Sequence, residues 1–278
     1  MSVVTRFAPS PTGPLHLGHA FSALLAHDRA RAAGGTFHLR IDDLDQTRCR
    51  PGWETQIFVD LEWLGLNWPK PVMRQTNRLP RYRAALEILW DQGLLYPCSC
   101  TRADIRVAAS APQEGAPLHG PDGVIYPGTC RPATPPAGPI PAASVLRLDM
   151  ERACEAAGNG LFYMEKDERV ELGDMPRTAG DVVLARRDTG ASYHLSVVLD
   201  DADQGITHVI RGEDLAPATA IHVMLQRLLG LCTPAYEHHR LIRDEHGKRL
   251  AKRDDARAIA TYRASGATSR EIRTMLGL

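Results

Sequence analysis

The sequence has no excess of charge of either sign: 33 lysines and arginines face 33 aspartates and glutamates in 278 residues. That balance excludes a chain that binds nucleic acid everywhere through a strongly basic surface, so any such contact must come from a local patch. No run approaches the roughly 18 apolar residues of a membrane span. The opening MSVVTRFAPSPTG lacks the charged start, apolar stretch and cleavage site of a secretory signal. Repeats and heptads are missing too. The six cysteines make no disulfide framework, because Cys98 and Cys100 are too close to pair and a chain of this length needs no staples. These absences together predict a cytoplasmic monomer in a reducing compartment, with no membrane contact. What is present is globular composition, 44% hydrophobic and 24% charged, enough for one large domain or two modest ones.

The order of elements reads as α/β. Residues 3–7 form a short apolar run ended by Pro9, Pro11 and Gly13, a buried strand and then a rigid loop. An alanine-rich helical pattern over 18–33 stops at Gly34-Gly35. Residues 37–41 read as a strand, and 52–64 and 79–90 as helices. Strand and helix in alternation start a parallel sheet. Prolines and glycines crowd from Cys98 to Pro141, and residues 98–189 read as an insertion with little regular helix. It has strand-like pieces at 144–148, 161–164 and 181–185. The α/β pattern then returns: strand-like 193–199, a strand at 207–210, a helix at 215–229, strand-like 237–242 and a last helix at 269–276.

Two segments have the chemistry of phosphate handling. In the first, Phe7 to Ala20, a Pro- and Gly-fixed loop brings His16 and His19 to a helix start three residues apart, on one face. Gly18 lets a ligand approach the backbone, and the free N–H groups of the helix start favour phosphate. Two histidines at this spacing are common in cores; their place after a first strand gives them weight. In the second, His246 to Asp254, four cations (Lys248, Arg249, Lys252 and Arg253) crowd a loop with Gly247. Such a run is usually a solvated face, but over a triphosphate it offsets charge on a leaving pyrophosphate.

Read together, the segments resemble the class I aminoacyl-tRNA synthetases, specifically the catalytic half of the glutamyl-tRNA synthetases. RFAPSPTGPLHLGH is similar to that family's amino-end signature, with His16-Leu17-Gly18-His19 as its HIGH element. LRIDDLDQTR resembles its LRIEDTD segment, HVIRGEDL matches nearly letter for letter, and RLAKR stands in place of its KLSKR loop. About 25 residues follow that loop, too few for a helical anticodon-binding domain. The chain thus resembles the short relatives, the glutamyl-Q tRNA(Asp) synthetases, which attach glutamate to queuosine in the anticodon of tRNA(Asp).

The resemblance implies a Rossmann-like parallel sheet of class I synthetase type. It carries an inserted zinc-binding domain and a short C-terminal helical segment. The catalytic domain divides into 1–97 and 190–242 around the insertion at 98–189, and 243–278 holds the basic loop and the helical end. The substrates implied are L-glutamate, ATP with Mg²⁺, and queuosine-containing tRNA(Asp). His16, His19 and Lys252 are the catalytic residues, and Gly18 and Arg249 join them at ATP. Arg6, Ala8, Ser10, Asp42, Tyr193 and Arg211 are the glutamate contacts. The charges suit the ligand: two carboxylates need two cationic ends and the ammonium an anionic one. Four positions depart from the family pattern. Asp42 is a methylene shorter than the family's usual glutamate, Val197 replaces an asparagine, and Arg249 and Ala251 replace lysine and serine.

Three thiolates, from Cys98, Cys100 and Cys130, suit one tetrahedral zinc. Composition alone offers His119 as the fourth ligand. The short relatives instead have a tyrosine, which falls here on Tyr126, and a closed set of four implies one structural Zn²⁺. Cys49, Cys154 and Cys232 read as small apolar residues. For RNA, Arg74, Arg78, Arg81 and Arg83 make one candidate patch and Arg186-Arg187 another. Other functions share parts of the pattern: a truncated glutamyl-tRNA synthetase charging a 3′ end, a nucleotidylyltransferase, and a non-enzymatic binding module.

Overall fold

The structure is a computed structural model that describes residues 2–109, 119–243 and 257–278. In chain order its elements are β1 (Val4–Phe7), α1 (Leu17–Ala32), β2 (Thr36–Ile41), α2 (Pro51–Trp63), β3 (Met73–Arg74), α3 (Leu79–Asp91), β4 (Leu95–Cys98) and α4 (Arg102–Ala109). Then follow β5 (His119–Gly120), β6 (Gly123–Val124), β7 (Val145–Leu148), α5 (Met150–Ala157), β8 (Phe162–Glu165), β9 (Glu168–Glu171), α6 (Met175–Thr178) and β10 (Val183–Ala185). The chain closes with α7 (Tyr193–Asp203), β11 (His208–Gly212), α8 (Thr219–Leu228), β12 (Ala235–His239), α9 (Ile259–Ala264) and α10 (Ser269–Leu276). No described helix is long and apolar enough to cross a membrane.

Packing divides the chain into two compact units. The first comprises Met1–Asn77, Gln204–Asp214 and Pro234–Leu278, and the second Arg78–Asp203 and Leu215–Thr233. These limits differ from residues 98–189. α3 and α8 both pack on α7, so contacts carry the second unit beyond the Pro-rich stretch.

The first unit holds the expected parallel sheet. β1 pairs in parallel with β2, and β2 with β3. β11 runs beside β1, where the Thr207 N–H donates to the Val4 carbonyl at 2.9 Å, and β12 pairs in parallel with β11. β1, β2 and β3 thus form one parallel sheet in that order, with the parallel pair β11 and β12 alongside β1. α1 lies close on this sheet because it presents Ala20, Ala23, Ala26 and Ala30, all buried, and the Thr5 hydroxyl reaches the Ala26 carbonyl at 2.8 Å. Gly35 returns the chain so tightly that a β-carbon there would fall 1.8 Å from the Val3 carbonyl oxygen. α10 adds Ile272 and Leu276 to the same core. Thr268 and Glu271 cap its start reciprocally, and Gly277 ends it at φ +72°.

In the second unit β10, β7 and β4 form an antiparallel sheet, and β8 and β9 a hairpin. Two expectations fail here. Residues 193–199 are not strand-like: they begin α7. His194 through Asp201 are all buried, so an apolar run enclosed on every side shows no helical period. Nor is the insertion poor in helix. α4 starts on a Thr101–Asp104 reciprocal cap, and α5 on Asp149, whose carboxylate accepts from the Arg152 N–H at 3.2 Å. Both start signals stand in the sequence, between prolines that draw attention away. Similarly, the helix expected from residue 215 begins at Thr219, after a 3₁₀ turn that holds Pro217.

Candidate active site and metal centre

The carboxyl ends of parallel strands are where an open α/β sheet receives its ligands. Arg6 near the end of β1 and Arg211 near the end of β11 stand there on neighbouring strands, 6% and 5% exposed. Arg6 Nη1 donates to the Ile210 carbonyl at 3.4 Å, and Arg211 Nε lies 3.1 Å from His238 Nε2 across the β11–β12 register. Two enclosed guanidiniums on adjacent strands suit a small dianion. At the end of β2, Asp42 accepts from Arg40 Nε at 2.8 Å, and its own N–H donates to the Pro9 carbonyl at 3.1 Å. Those bonds hold the loop carrying half-buried Ala8 and exposed Ser10 against β2. Arg40, fully buried, was not among the expected site residues. Its signal was an R-x-D pair on a strand, where residues two apart share a face. The next carboxylate, Asp43, is committed elsewhere: it takes both the N–H and the hydroxyl of Thr76, at 2.9 and 2.7 Å.

His16 caps α1. Its Nδ1 accepts from the Gly18 N–H at 3.1 Å, while His19 Nδ1 accepts from the His16 N–H at 3.2 Å. Because both Nδ1 atoms accept, each neutral ring carries its proton on Nε2. The rings lie 3.8 Å apart between centroids. Gly18 has a use inside this cap, since a β-carbon there would meet His16 Cε1 at 3.0 Å. Arg6, Ala8, Ser10, His16, Gly18, His19, Asp42 and Arg211 all belong to the first unit. Tyr193 opens α7 in the second unit. Arg249 and Lys252 lie outside the described residues.

In the second unit, the thiols of Cys98, Cys100 and Cys130 lie within 4.8 Å of one another, a set able to hold a metal ion. The Tyr126 hydroxyl sits 3.5 Å from the Cys98 sulfur and 3.4 Å from that of Cys100, and it accepts from the Cys130 N–H at 2.7 Å. His119 is exposed in β5 and is not part of this cluster. Burial opposes the Cys130 thiolate, but hydrogen bonds from Tyr126, the Ser99 backbone, Cys100 and the Ser99 hydroxyl outweigh it and lower the thiol to about 6. Arg147 stacks over Tyr126, its guanidinium carbon 3.7 Å from the ring centroid.

The first of the two arginine patches is already neutralised. Arg74 pairs with Glu54, Arg78 with Asp200 and Asp203, Arg81 with Asp203, and Arg83 with Glu87. Arg186 and Arg187 are exposed.

A family model described as class I (E and Q) tRNA synthetases, catalytic domain, matches residues 2–119 and 164–278. A glutamyl-Q tRNA(Asp) synthetase of Rhodobacter capsulatus is 60% identical over 280 residues, 99% of this chain and 100% of its own. The chain belongs to the glutamyl-Q tRNA(Asp) synthetase family, among the class I tRNA synthetases. A family member from Symbiobacterium thermophilum is 42% identical, with 94% of this chain and 81% of its own aligned. The solved glutamate–tRNA synthetase of Elizabethkingia anophelis superposes with a TM-score of 0.70 at 29% identity, over 91% of this chain and 53% of that one. The chain therefore spans about half the length of that solved relative. Within the segment the family model leaves unmatched lie Cys130 of the three-cysteine cluster and Tyr126 beside it.

Proposed function

We propose that this chain activates L-glutamate with ATP and transfers the glutamyl group to the queuosine nucleoside in the anticodon of tRNA(Asp). The full-length identity of 60% to a glutamyl-Q tRNA(Asp) synthetase carries the reading. The buried Arg6 and Arg211 and the histidine-capped start of α1 support its chemistry. In the first step a glutamate carboxylate oxygen attacks the α-phosphorus of ATP, the bond to the bridging oxygen breaks, and pyrophosphate leaves as glutamyl-adenylate forms. Arg6 and Arg211 hold the carboxylates, and Ala8, Ser10 and Tyr193 are further glutamate contacts. Asp42, oriented by Arg40, holds the ammonium. His16 and His19 donate from Nε2 to the phosphate oxygens as charge accumulates, and Gly18 keeps that ring pair in place. Lys252, with Arg249, faces the leaving pyrophosphate. Mg²⁺ bound with ATP would supply screening of the phosphate charge. In the second step a queuosine hydroxyl attacks the activated carbonyl and AMP leaves, its phosphate accepting the proton.

The catalytic domain in this reading is 1–97 with 190–242, the insertion is 98–189, and the basic loop and helical end are 243–278. Arg186 and Arg187 are the insertion's contacts to RNA. Cys98, Cys100, Tyr126 and Cys130 hold one structural Zn²⁺. With bonds of about 2.3 Å to sulfur and about 2.0 Å to oxygen, a tetrahedron separates sulfur from oxygen by about 3.5 Å. The observed separations of 3.5 and 3.4 Å match that edge. Bound zinc would cross-link two segments that share little core, and it opens no position for chemistry. The enzyme acts as a cytoplasmic monomer.

The test is incorporation of labelled glutamate into tRNA(Asp) with and without queuosine. Label is expected only on the queuosine-containing RNA. Equal label on both would identify 3′-end charging, as in the full-length glutamate synthetases. Pyrophosphate exchange that needs no glutamate would identify a nucleotidylyltransferase.

A further inference from the structure

Tyr193 does not stand alone at the start of α7. Its ring lies against two imidazoles, His194 and His222, with centroids 5.6 and 5.7 Å away. The pair is 4% and 2% exposed and forms part of a chain. His194 Nδ1 is 3.1 Å from His222 Nε2, and His194 Nε2 is 2.9 Å from a carboxylate oxygen of Asp122. Asp122 sits in the turn between β5 and β6. Burial opposes its charge, but the bond to His194 and the fields of His194, Arg186 and Arg147 hold its carboxyl below the usual range.

The proton positions follow. An ionised carboxylate only accepts, so His194 carries its proton on Nε2. With a single proton on that ring, its Nδ1 accepts from His222 Nε2–H. Every donor in this chain points toward Asp122, and the two rings are set in one orientation. They form a buried bed for an aromatic ring that is itself 41% exposed. None of the chemistry above uses Asp122, His194 or His222.

We infer that Asp122 and His194 are positioning residues for Tyr193, and that through them the β5–β6 hairpin sets the affinity for glutamate. The inference rests on Tyr193 being a glutamate contact. It is tested by the glutamate and ATP dependence of pyrophosphate exchange in Asp122→Ala, Asp122→Asn, Tyr193→Ala and the double variant Asp122→Ala/Tyr193→Ala. Asp122→Ala is expected to raise KM for glutamate about fivefold, as loss of one orienting buried hydrogen bond would. KM for ATP and kcat are expected to stay within about twofold of the parent. Asp122→Asn keeps an oxygen that accepts from His194 and recovers most of the affinity. In the double variant, Asp122→Ala adds nothing to Tyr193→Ala.

Additive effects, or a fall in kcat with KM unchanged, would overturn the inference. So would a silent Asp122→Ala beside an impaired Tyr193→Ala, which leaves the glutamate pocket standing. A silent Tyr193→Ala removes Tyr193 from the pocket and the inference with it. Should Asp122→Ala fail to fold by circular dichroism, His194→Gln replaces it. That variant retains a donor to Asp122 but not the ring under Tyr193, and the same selective rise in KM is expected.

Discussion

At position 18 the missing side chain and the chemistry are one matter. An alanine there would press its β-carbon to 3.0 Å from His16 Cε1 and 3.1 Å from Nδ1, the atom that accepts from the residue 18 N–H. The ring must turn, and with it the Nε2 donor. Gly18→Ala is therefore expected to lower kcat for pyrophosphate exchange at least about tenfold, since small misplacement of a donor is costly. Its thermal midpoint should stay within about 2 °C of the parent, because alanine's better helix propensity offsets the weakened His16 cap. Exchange kinetics beside a melting curve check both. The sequence showed that two histidines three apart face one way. It did not show that each ring closes part of the other's cap, which depends on the backbone entering α1 from the Pro-rich loop. In the Ile-Asp-Asp triplet, likewise, spacing names both carboxylates, but only Thr76, thirty-three residues on, reserves Asp43 and leaves Asp42 to the site.

Between elements, α1 is tied to β12 by Ser22 and His239. The Ser22 oxygen is 2.7 Å from His239 Nε2, and His239 Nδ1 is 2.9 Å from the Arg240 carbonyl. Nδ1 must donate to that carbonyl, so Nε2 accepts the hydroxyl proton. Burial lowers the His239 pKa, while the Arg240 bond and the nearby Asp214, Glu237 and Glu213 act in the opposite direction. A histidine whose folded pKa lies below its ordinary 6.5 adds stability that is present above 6.5 and lost as pH falls through the lowered folded value. His239→Gln is expected to narrow the gap between the thermal midpoints at pH 8 and pH 5. An equal gap in both proteins would show that His239 takes no part. Elements with start and stop signals were readable in the same way that this tie was not. Thr268, Glu271 and Gly277 delimit α10, and the prediction of 269–276 coincides with Ser269–Leu276. α7 has no such frame. Its buried apolar run needs neighbours on all sides, α3 and α8 among them, before a helix is the only fit.

For the molecule as a whole, the metal cluster is the feature with the largest expected effect on stability. Elemental analysis is expected to find one zinc per chain. Chelation is expected to lower the thermal midpoint by at least about 5 °C, because a ligand bound only by the folded state stabilises it. Tyr126→Phe, which keeps three thiols, should weaken zinc at least about tenfold in competition with a chelator. Retained affinity would leave the site to three cysteines and water.

The alternation of strands and helices after β1, the placing of His16 and His19 at a helix start and the cysteine spacings were legible in the chain, because each is a local pattern with a local physical cause. The tertiary structure decided which residues share a site. Arg6 and Ile210 are more than two hundred positions apart and touch only because β11 runs alongside β1. Asp122 behind His194 is equally invisible to periodicity. Charge complementarity between distant segments leaves no repeating mark in the sequence, and only the pairing of strands brings it to one place.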